Sequence, residues 1–403
     1  MPKILPGGRE AMKDLLILSN GHGEDSIALR VLEAMKLQHG DALSVEAWPM
    51  VGAGEAYRRA GVSVIGALNL LPSNGFATID PHLMVQDLRA GWIGTHFKQI
   101  GFARKTKGRY RLALAVGDIV PLVAALLSKS PVAFVGCAKS SWYGRGRGYT
   151  VFERMLLRRC KQVFPRDHRT AKDLASVGSV VRDCGNPMMD GLEPNIPLAC
   201  DATETPIVML PGSRDDAEAN TTILLSAADD LVKADPTRRY AFFVPLHGGF
   251  RMPLLHVPHG WQIDPAMGKA ILKHEHGARA VLETGCFAEM LAVAEVAVGM
   301  AGTANEQAIG RGVPLIVVPA TGAQGERYVR MKMRFFGPSA LVVDRDSKSI
   351  SAAILALLGD SRKCIAMGLA GRARMGDAGA SVAIARDIIA LLASTSVTER
   401  VAA

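Results

Sequence analysis

The sequence predicts an α/β protein of two similar halves on parallel sheets, and three observations carry that prediction. Its 403 residues are roughly two to three times the length of a typical domain. Short Val/Ile/Leu/Ala runs recur between helix-like segments, the pattern of strands buried on both faces and joined by crossover helices. A stretch rich in Pro and acidic residues, from Asn186 to Pro206 with Pro187, Pro194, Pro197 and Pro206, interrupts the alternation, because a helix cannot run through such spacing.

Taken in order, Met1 to Asp14 carries Pro, Gly and charges without the apolar core of a signal peptide, so residues 1–14 read as a flexible arm, with Met12 an alternative start. Strands are expected at Leu15–Ser19, Leu43–Trp48, Val62–Ile65, Leu112–Val116, Val132–Val135, Gln162–Pro165 and Val180–Asp183, within a first domain at 15–190. Residues 191–205 read as the linker. Alternation resumes in a second domain at 206–375, with strands at Pro206–Leu210, Tyr240–Val244, Val296–Gly299, Leu315–Val318 and Ala340–Val343. Its helices fit Asp216–Lys233, Cys286–Ala294, Thr303–Gly310 and Ser347–Leu358. In 376–403 a last helix, about Gly379 to Ala393, carries Val382, Ile384, Ala385, Ile388, Ile389 and Leu392 on one broad apolar face and is expected to pack back toward the first domain.

Apolar residues make up 49% of the chain and charged residues 21%, enough for ordinary cores and too apolar for disorder. The net charge is +9, but residues 90–172 alone hold 17 Lys/Arg against Asp118, Glu153 and Asp167, so the remainder is net acidic. That window lacks a zinc-finger spacing, an aromatic RNA-binding strand or a basic heptad helix, which argues against nucleic acid. Two readings remain for it: a solvated basic face, or attraction to anionic lipid headgroups, worth roughly 1 kcal/mol per basic residue near the surface. Six scattered cysteines with no C-x-x-C pair point to reduced thiols in a cytoplasmic protein, without disulfide frame or metal. The most apolar stretch, Leu112 to Leu127, is broken by Gly117, Asp118 and Pro121 and falls short of the roughly 20 residues a spanning helix needs.

Ligands of open parallel sheets bind beyond the carboxyl ends of strands. After the first strand comes Ser19-Asn20-Gly21-His22-Gly23-Glu24-Asp25-Ser26. Its glycines allow close backbone approach, and His22 is either a base for an acceptor hydroxyl or a packing residue, with Asp25 and Ser26 as helix caps. Asp118, in Val116-Gly117-Asp118, is either the N-cap of the next helix or a carboxylate that orients His22 from an adjacent strand end. In the second half, Leu210-Pro211-Gly212-Ser213-Arg214 suits a diphosphate at a helix N-terminus. Gly299-Met300-Ala301-Gly302-Thr303-Ala304-Asn305-Glu306-Gln307 offers a second phosphate-accessible helix start, with polar side chains one turn in that reach ribose hydroxyls. A later strand ends Pro319-Ala320-Thr321-Gly322-Ala323-Gln324.

These segments resemble the GT-B glycosyltransferases that use nucleotide sugars, and within them most closely the lipid-A-disaccharide synthase group. The likeness spans Leu15 to about Leu392. It is carried by His22-Gly23-Glu24-Asp25, Val163-Phe164-Pro165, Cys184-Gly185-Asn186-Pro187-Met188-Met189-Asp190, Leu210-Pro211-Gly212-Ser213-Arg214, Ala301-Gly302-Thr303-Ala304 and Arg374-Met375-Gly376-Asp377-Ala378-Gly379-Ala380-Ser381. Two places differ from the group. Gln307, with Glu306 beside it, stands seven residues before Pro314, where relatives carry the glutamate that holds the ribose. The first turn is Gly-His-Gly-Glu-Asp-Ser rather than a Gly-Glu-x-Ser-Gly-Asp-like turn.

The resemblance implies two Rossmann-like domains with parallel sheets facing across a cleft, an acceptor-binding first domain, a donor-binding second domain and metal-independent inversion at the sugar carbon. It requires no cofactor beyond a UDP-sugar as donor substrate. The expected donor site is Gly212, Ser213, Arg214, Gly302, Thr303, Glu306, Gln307 and Gln324; the expected catalytic set is His22, Asp118, Glu24 and Asp25. The acceptor is a lipid or lipid-linked molecule, and residues 90–172 would hold the protein at the inner face of the cytoplasmic membrane, with Phe97, Ile100 and Phe102 as candidate immersed residues. A UDP-sugar 2-epimerase shares this architecture, needs no lipid, and has Glu24, Asp25 and Glu283 as available carboxylates. A non-catalytic nucleotide-sugar-binding protein would leave His22 and Asp118 structural.

Overall fold

The computed structural model describes residues 12–40, 42–66, 101–144, 148–178, 180–264, 271–321 and 325–402. The chain forms two compact units, Met1–Pro187 with Gly379–Ala403, and Met188–Ala378. The first is built on β1 (Lys13–Ser19), β2 (Val45–Pro49), β3 (Ser63–Val64), β4 (Tyr110–Val116), β5 (Val132–Gly136) and β6 (Gln162–Pro165). All pair in parallel in the order β3-β2-β1-β4-β5-β6. Its helices are α1 (His22–His39), α2 (Glu55–Arg59), α3 (Ile119–Leu127), α4 (Val151–Leu157) and α5 (His168–Asp173). Leu15 to Leu18 and Leu112 to Val116 are buried without alternation, as strands covered on both faces must be.

The second unit holds β7 (Glu204–Leu210), β8 (Arg239–Leu246), β9 (Trp261–Ile263), β10 (Ile271–His274), β11 (Arg279–Thr284), β12 (Val296–Gly299), β13 (Leu315–Val317) and β14 (Ala340–Val342). They lie in the order β14-β13-β12-β7-β8-β11-β10-β9, parallel except for β10 against β11 and β9. Its helices are α6 (Ala217–Ala234), α7 (Phe287–Val293), α8 (Thr303–Gly310), α9 (Glu326–Phe336), α10 (Ser347–Leu358) and α11 (Ser361–Met375). The Pro-rich stretch expected as the linker lies on this unit: Asn195 N donates to Glu289 (3.0 Å), and Ala199 O accepts from Arg279 (2.8 Å).

Helix α12 (Ala380–Ala402) belongs to the first unit, where Gln38 donates to Val382 O (3.1 Å) and Arg182 pairs with Asp387 (3.2 Å). Ile384, Ala385, Ile388 and Leu392 are buried, whereas Val382 is exposed, so the apolar face is narrower than the sequence suggested. Three further expectations change. Val180–Asp183 makes only an isolated bridge, Val163 to Val181. The strands β9 to β11 and the helices α9 and α11 were not expected. Phe102 is half-buried, packs edge-to-face on Trp48 at 4.8 Å and rests against the core rather than standing out as an immersed residue; Phe97 and Ile100 lie outside the described residues. Among the described residues no helix is long and apolar enough to cross a membrane.

The C-terminal end of α8 packs against α11. A Cβ built on Gly371 would stand 2.2 Å from the carbonyl oxygen of Ile309, and one on Gly368 would stand 2.5 Å from that of Gly312. Backbone cannot yield as a flexible side chain does, so this contact admits only glycine. Gly371→Ala is expected to destabilise the second unit by about 1–3 kcal/mol, the usual range for overpacking, read from urea unfolding; a midpoint equal to that of the unmodified protein would contradict the close approach.

Candidate functional site

In each sheet the strand order reverses beside the first strand, between β1 and β4 and between β7 and β12. Such switch points open a crevice beyond the carboxyl ends of the two strands. The register makes each one specific. Ser19 pairs with Val116, so Asn20 and Gly117 leave the first sheet side by side; Leu210 pairs with Gly299, so Pro211-Gly212 and Met300-Ala301 leave the second sheet side by side.

At the first switch point Asp118 accepts from Val120 N (2.8 Å), which makes it the N-cap of α3, and from Asn20 Nδ2 (2.7 Å), which ties it to the turn after β1. Burial pushes its carboxyl above the ordinary range, opposed by those two hydrogen bonds and by Lys139. Gly117 has φ +129°, and a Cβ there would stand 2.2 Å from Asn20 Oδ1, so only glycine lets the two turns meet. Helix α1 begins after Gly21, not at an Asp25 or Ser26 cap. His22 is its first residue, and the His22 side chain lies outside the described residues. The carboxylate of Glu24 folds over Gly21, where its Oε2 would be 2.4 Å from an added Cβ.

Asp25 is placed differently. It is buried and accepts from Ser19 Oγ (2.6 Å), which also bonds the Tyr57 hydroxyl (2.7 Å). Burial and then the Asp25 charge hold the Tyr57 phenol well above its usual range. Asp25 therefore fastens α1 and α2 to β1. Burial also raises the Cys137 thiol beyond β5, as it does Cys160 (about 12) and Cys184 (about 11), which removes thiolate chemistry from these positions.

At the second switch point Gly212 has φ +93°, a conformation that favours glycine, and Ser213 is exposed. Pro211 O accepts from the buried Asn220 Nδ2 (2.9 Å), whose Oδ1 accepts from Arg345 (3.0 Å), so the loop is braced from α6 and from the segment after β14. Arg214 is half-buried; burial pulls its pKa down, while Tyr328, Asp216 and Asp215 oppose that. Across from it, α8 starts at Gly302, which has no side chain to cap the helix, with Thr303 exposed beside it. Glu306 is 1% exposed and pairs with Lys332, whose ammonium lies over Tyr328 (5.4 Å to the ring centroid). Gln307 is buried and donates to Met188 O (2.9 Å). Gln324 lies outside the described residues.

Thus register brings Gly212, Ser213 and Arg214 beside Gly302 and Thr303, while Glu306 and Gln307 sit deeper with partners of their own. Asn20, Asn220, Tyr328, Lys332 and Arg345 were missed. Their partners are 26 to 125 residues away in the pairs Lys332–Glu306, Asn20–Asp118 and Arg345–Asn220, and no local spacing announces such contacts.

No protein-family model matches the chain, and no curated protein matches it in sequence. Solved structures do. A UDP-GlcNAc 2-epimerase from Neisseria meningitidis bound to UDP-GlcNAc matches with a TM-score of 0.54 at 14% identity over 94% of this chain and 100% of that one. The spinosyn forosaminyltransferase SpnP matches at 0.52 with 12% identity over 94% and 99%, and MurG from Acinetobacter baumannii at 0.50 with 12% identity over 94% and 99%. The chain therefore has a GT-B-like fold, two α/β domains with parallel-cored sheets. At this identity the likeness is one of fold, shared by epimerases and transferases alike.

Two outcomes test these placements. Asp25→Ala is expected to cost about 1–3 kcal/mol in denaturant unfolding by leaving buried hydroxyls without their acceptor; an unchanged midpoint would place Asp25 outside the brace. Because burial raises the Asp118 carboxyl, the folded chain keeps that proton to higher pH than the unfolded chain. Its contribution is fullest below the unfolded pKa and is lost as pH rises through the folded value. Asp118→Asn, which can still cap α3, should flatten stability against pH across that acidic window, measured by unfolding at a series of pH values.

Proposed function

We propose that this protein is a nucleotide-sugar-dependent glycosyltransferase of the lipid-A-disaccharide synthase-related kind, moving a hexose or N-acetylhexosamine-type sugar from a UDP-sugar to a lipid or lipid-linked acceptor at the cytoplasmic membrane face. The observation that carries it is the register of β7 against β12, which sets the Gly212 turn beside the Gly302 start of α8. A glycine turn beside a helix start, with one half-buried guanidinium, is suited to a diphosphate.

In this reading Gly212, Ser213, Arg214, Gly302 and Thr303 hold the diphosphate, and Glu306, Gln307 and Gln324 are assigned to the nucleoside and sugar. The backbone amides and Arg214 absorb the negative charge that grows on the leaving UDP. His22 takes the proton of the attacking hydroxyl, with Asp118 and Glu24 supplying the negative field that favours the imidazolium. Asp25 keeps only a positioning role, through the Ser19 and Tyr57 brace. The domain roles follow: acceptor on the first unit, donor on the second.

The likeness to a UDP-GlcNAc 2-epimerase at a TM-score of 0.54 supports a second reading, interconversion of a UDP-sugar with no acceptor. Incubation with labelled UDP-sugars, with and without a lipid extract, separates the readings. Label moving to the lipid phase is the expected result; a converted soluble sugar means epimerisation, and retention without turnover means a binding protein. Arg214→Ala should weaken UDP binding at least tenfold by titration, about one charge-assisted hydrogen bond; His22→Ala should lower turnover roughly 10²–10⁴-fold with UDP affinity retained.

A further inference from the structure

Three large apolar side chains stand in solvent on one short helix of the first unit. On α4, Val151 is 77% exposed, Phe152 61% and Met155 56%, while Glu153 and Leu157 face inward. With 3.6 residues per turn, 151, 152 and 155 share a face that runs on to Arg158 and Arg159, both exposed.

The face is firmly held. Thr150 and Glu153 form a reciprocal cap, and Glu153 also pairs with Lys139 (2.7 Å) from the loop after β5. Arg154 donates to Tyr149 O (3.2 Å), to Asp173 O (2.6 Å) and to Ser176 Oγ (3.2 Å). Lys161 and Lys172 are exposed on the adjoining segments; Asp173 is the acid among them. The helix also lies within the window of 17 basic and three acidic residues. An apolar face with a basic collar is complementary to an anionic lipid surface, apolar groups entering the acyl boundary and arginines remaining at the headgroups.

We propose that this face of α4 is the docking surface for an anionic bilayer. It replaces Phe102 as the immersed contact. The purpose of docking rests on the lipid-acceptor reading above; the contact itself needs no catalysis. The first turn of α4 is tied through Lys139 to the loop leaving β5, so the docking face begins at the same sheet edge as Asn20 and Asp118.

The full chain is mixed with sucrose-loaded vesicles of phosphatidylcholine, with or without phosphatidylglycerol, and sedimented. Binding is expected only with phosphatidylglycerol and should weaken as salt rises. Phe152→Ser with Met155→Ser should lower partition at least tenfold. Arg158→Ala with Arg159→Ala should lower it about 30-fold, from about 1 kcal/mol per arginine. Ile365→Ser with Leu369→Ser, the exposed pair on α11 of the second unit (64% and 65%), should change nothing. Thermal unfolding and UDP titration of each variant should match the unmodified chain. Equal binding to both vesicle types, equal loss in the α11 variant, or full retention in both α4 variants overturns the proposal. So does an oligomer that dissociates on the Phe152/Met155 change without vesicle binding, which would make the face a contact between copies. Failure of the unmodified chain to bind UDP while vesicle binding persists sinks the nucleotide-sugar reading and supports an independent docking face.

Discussion

The reversal of strand order in each sheet is the constraint on which the polar chemistry depends. Where two parallel neighbours send their chains to opposite faces, the loops diverge and leave a crevice that no side chain has to carve. The backbone does the positioning: Leu210 opposite Gly299 and Ser19 opposite Val116 settle which loops are neighbours. Side chains then secure the arrangement, Asn220 and Arg345 behind Pro211 in one unit and Asn20 with Asp118 in the other.

Charge separates the two switch points. Glu24, Asp25 and Asp118 gather around the start of α1, where the helix N-terminus favours carboxylates but the site as a whole repels phosphate. At the start of α8, Glu306 is paired with Lys332, and Arg214 supplies a half-buried cation. An anion is therefore better matched to the switch point of the second unit than to that of the first. The division holds even though both units use the same sheet logic.

Much of this was legible in the sequence because uninterrupted apolar runs and glycine turns are local signals. β1, β4, β5, β6 and β7, and helices α8 and α10, stand where the runs and turns place them. β9 to β11 were not legible. They are short, Trp261–Ile263 has only one buried residue, and their pairing depends on β8, a partner chosen by tertiary structure. Val180–Asp183 failed for the opposite reason: its apolar residues have strand propensity, but only one bridge partner is available at the sheet edge. At the site, glycines were readable since a φ of +93° or +129° demands them, whereas the inward turn of Asp25 was not. Glu24 and Asp25 are adjacent in sequence, yet one lies over Gly21 and the other under Ser19, a distinction set by helix phase and by the buried hydroxyl of Tyr57.

The basic window divides in the same way. Summed charge cannot separate a lysine spent on a carboxylate from one left in solvent. Lys139 is committed to Glu153, Arg111 to Asp14, and Arg166 is 2% exposed with its guanidinium on Cys137 O. Arg158, Arg159, Lys161 and Lys172 are exposed and flank the apolar side chains of α4. The physical meaning of an excess charge thus lies in its unburied remainder, and here that remainder sits where three hydrophobic side chains have been left outside the core. A surface serving solubility alone needs the charges but gains nothing from Phe152 and Met155; a lipid boundary uses both.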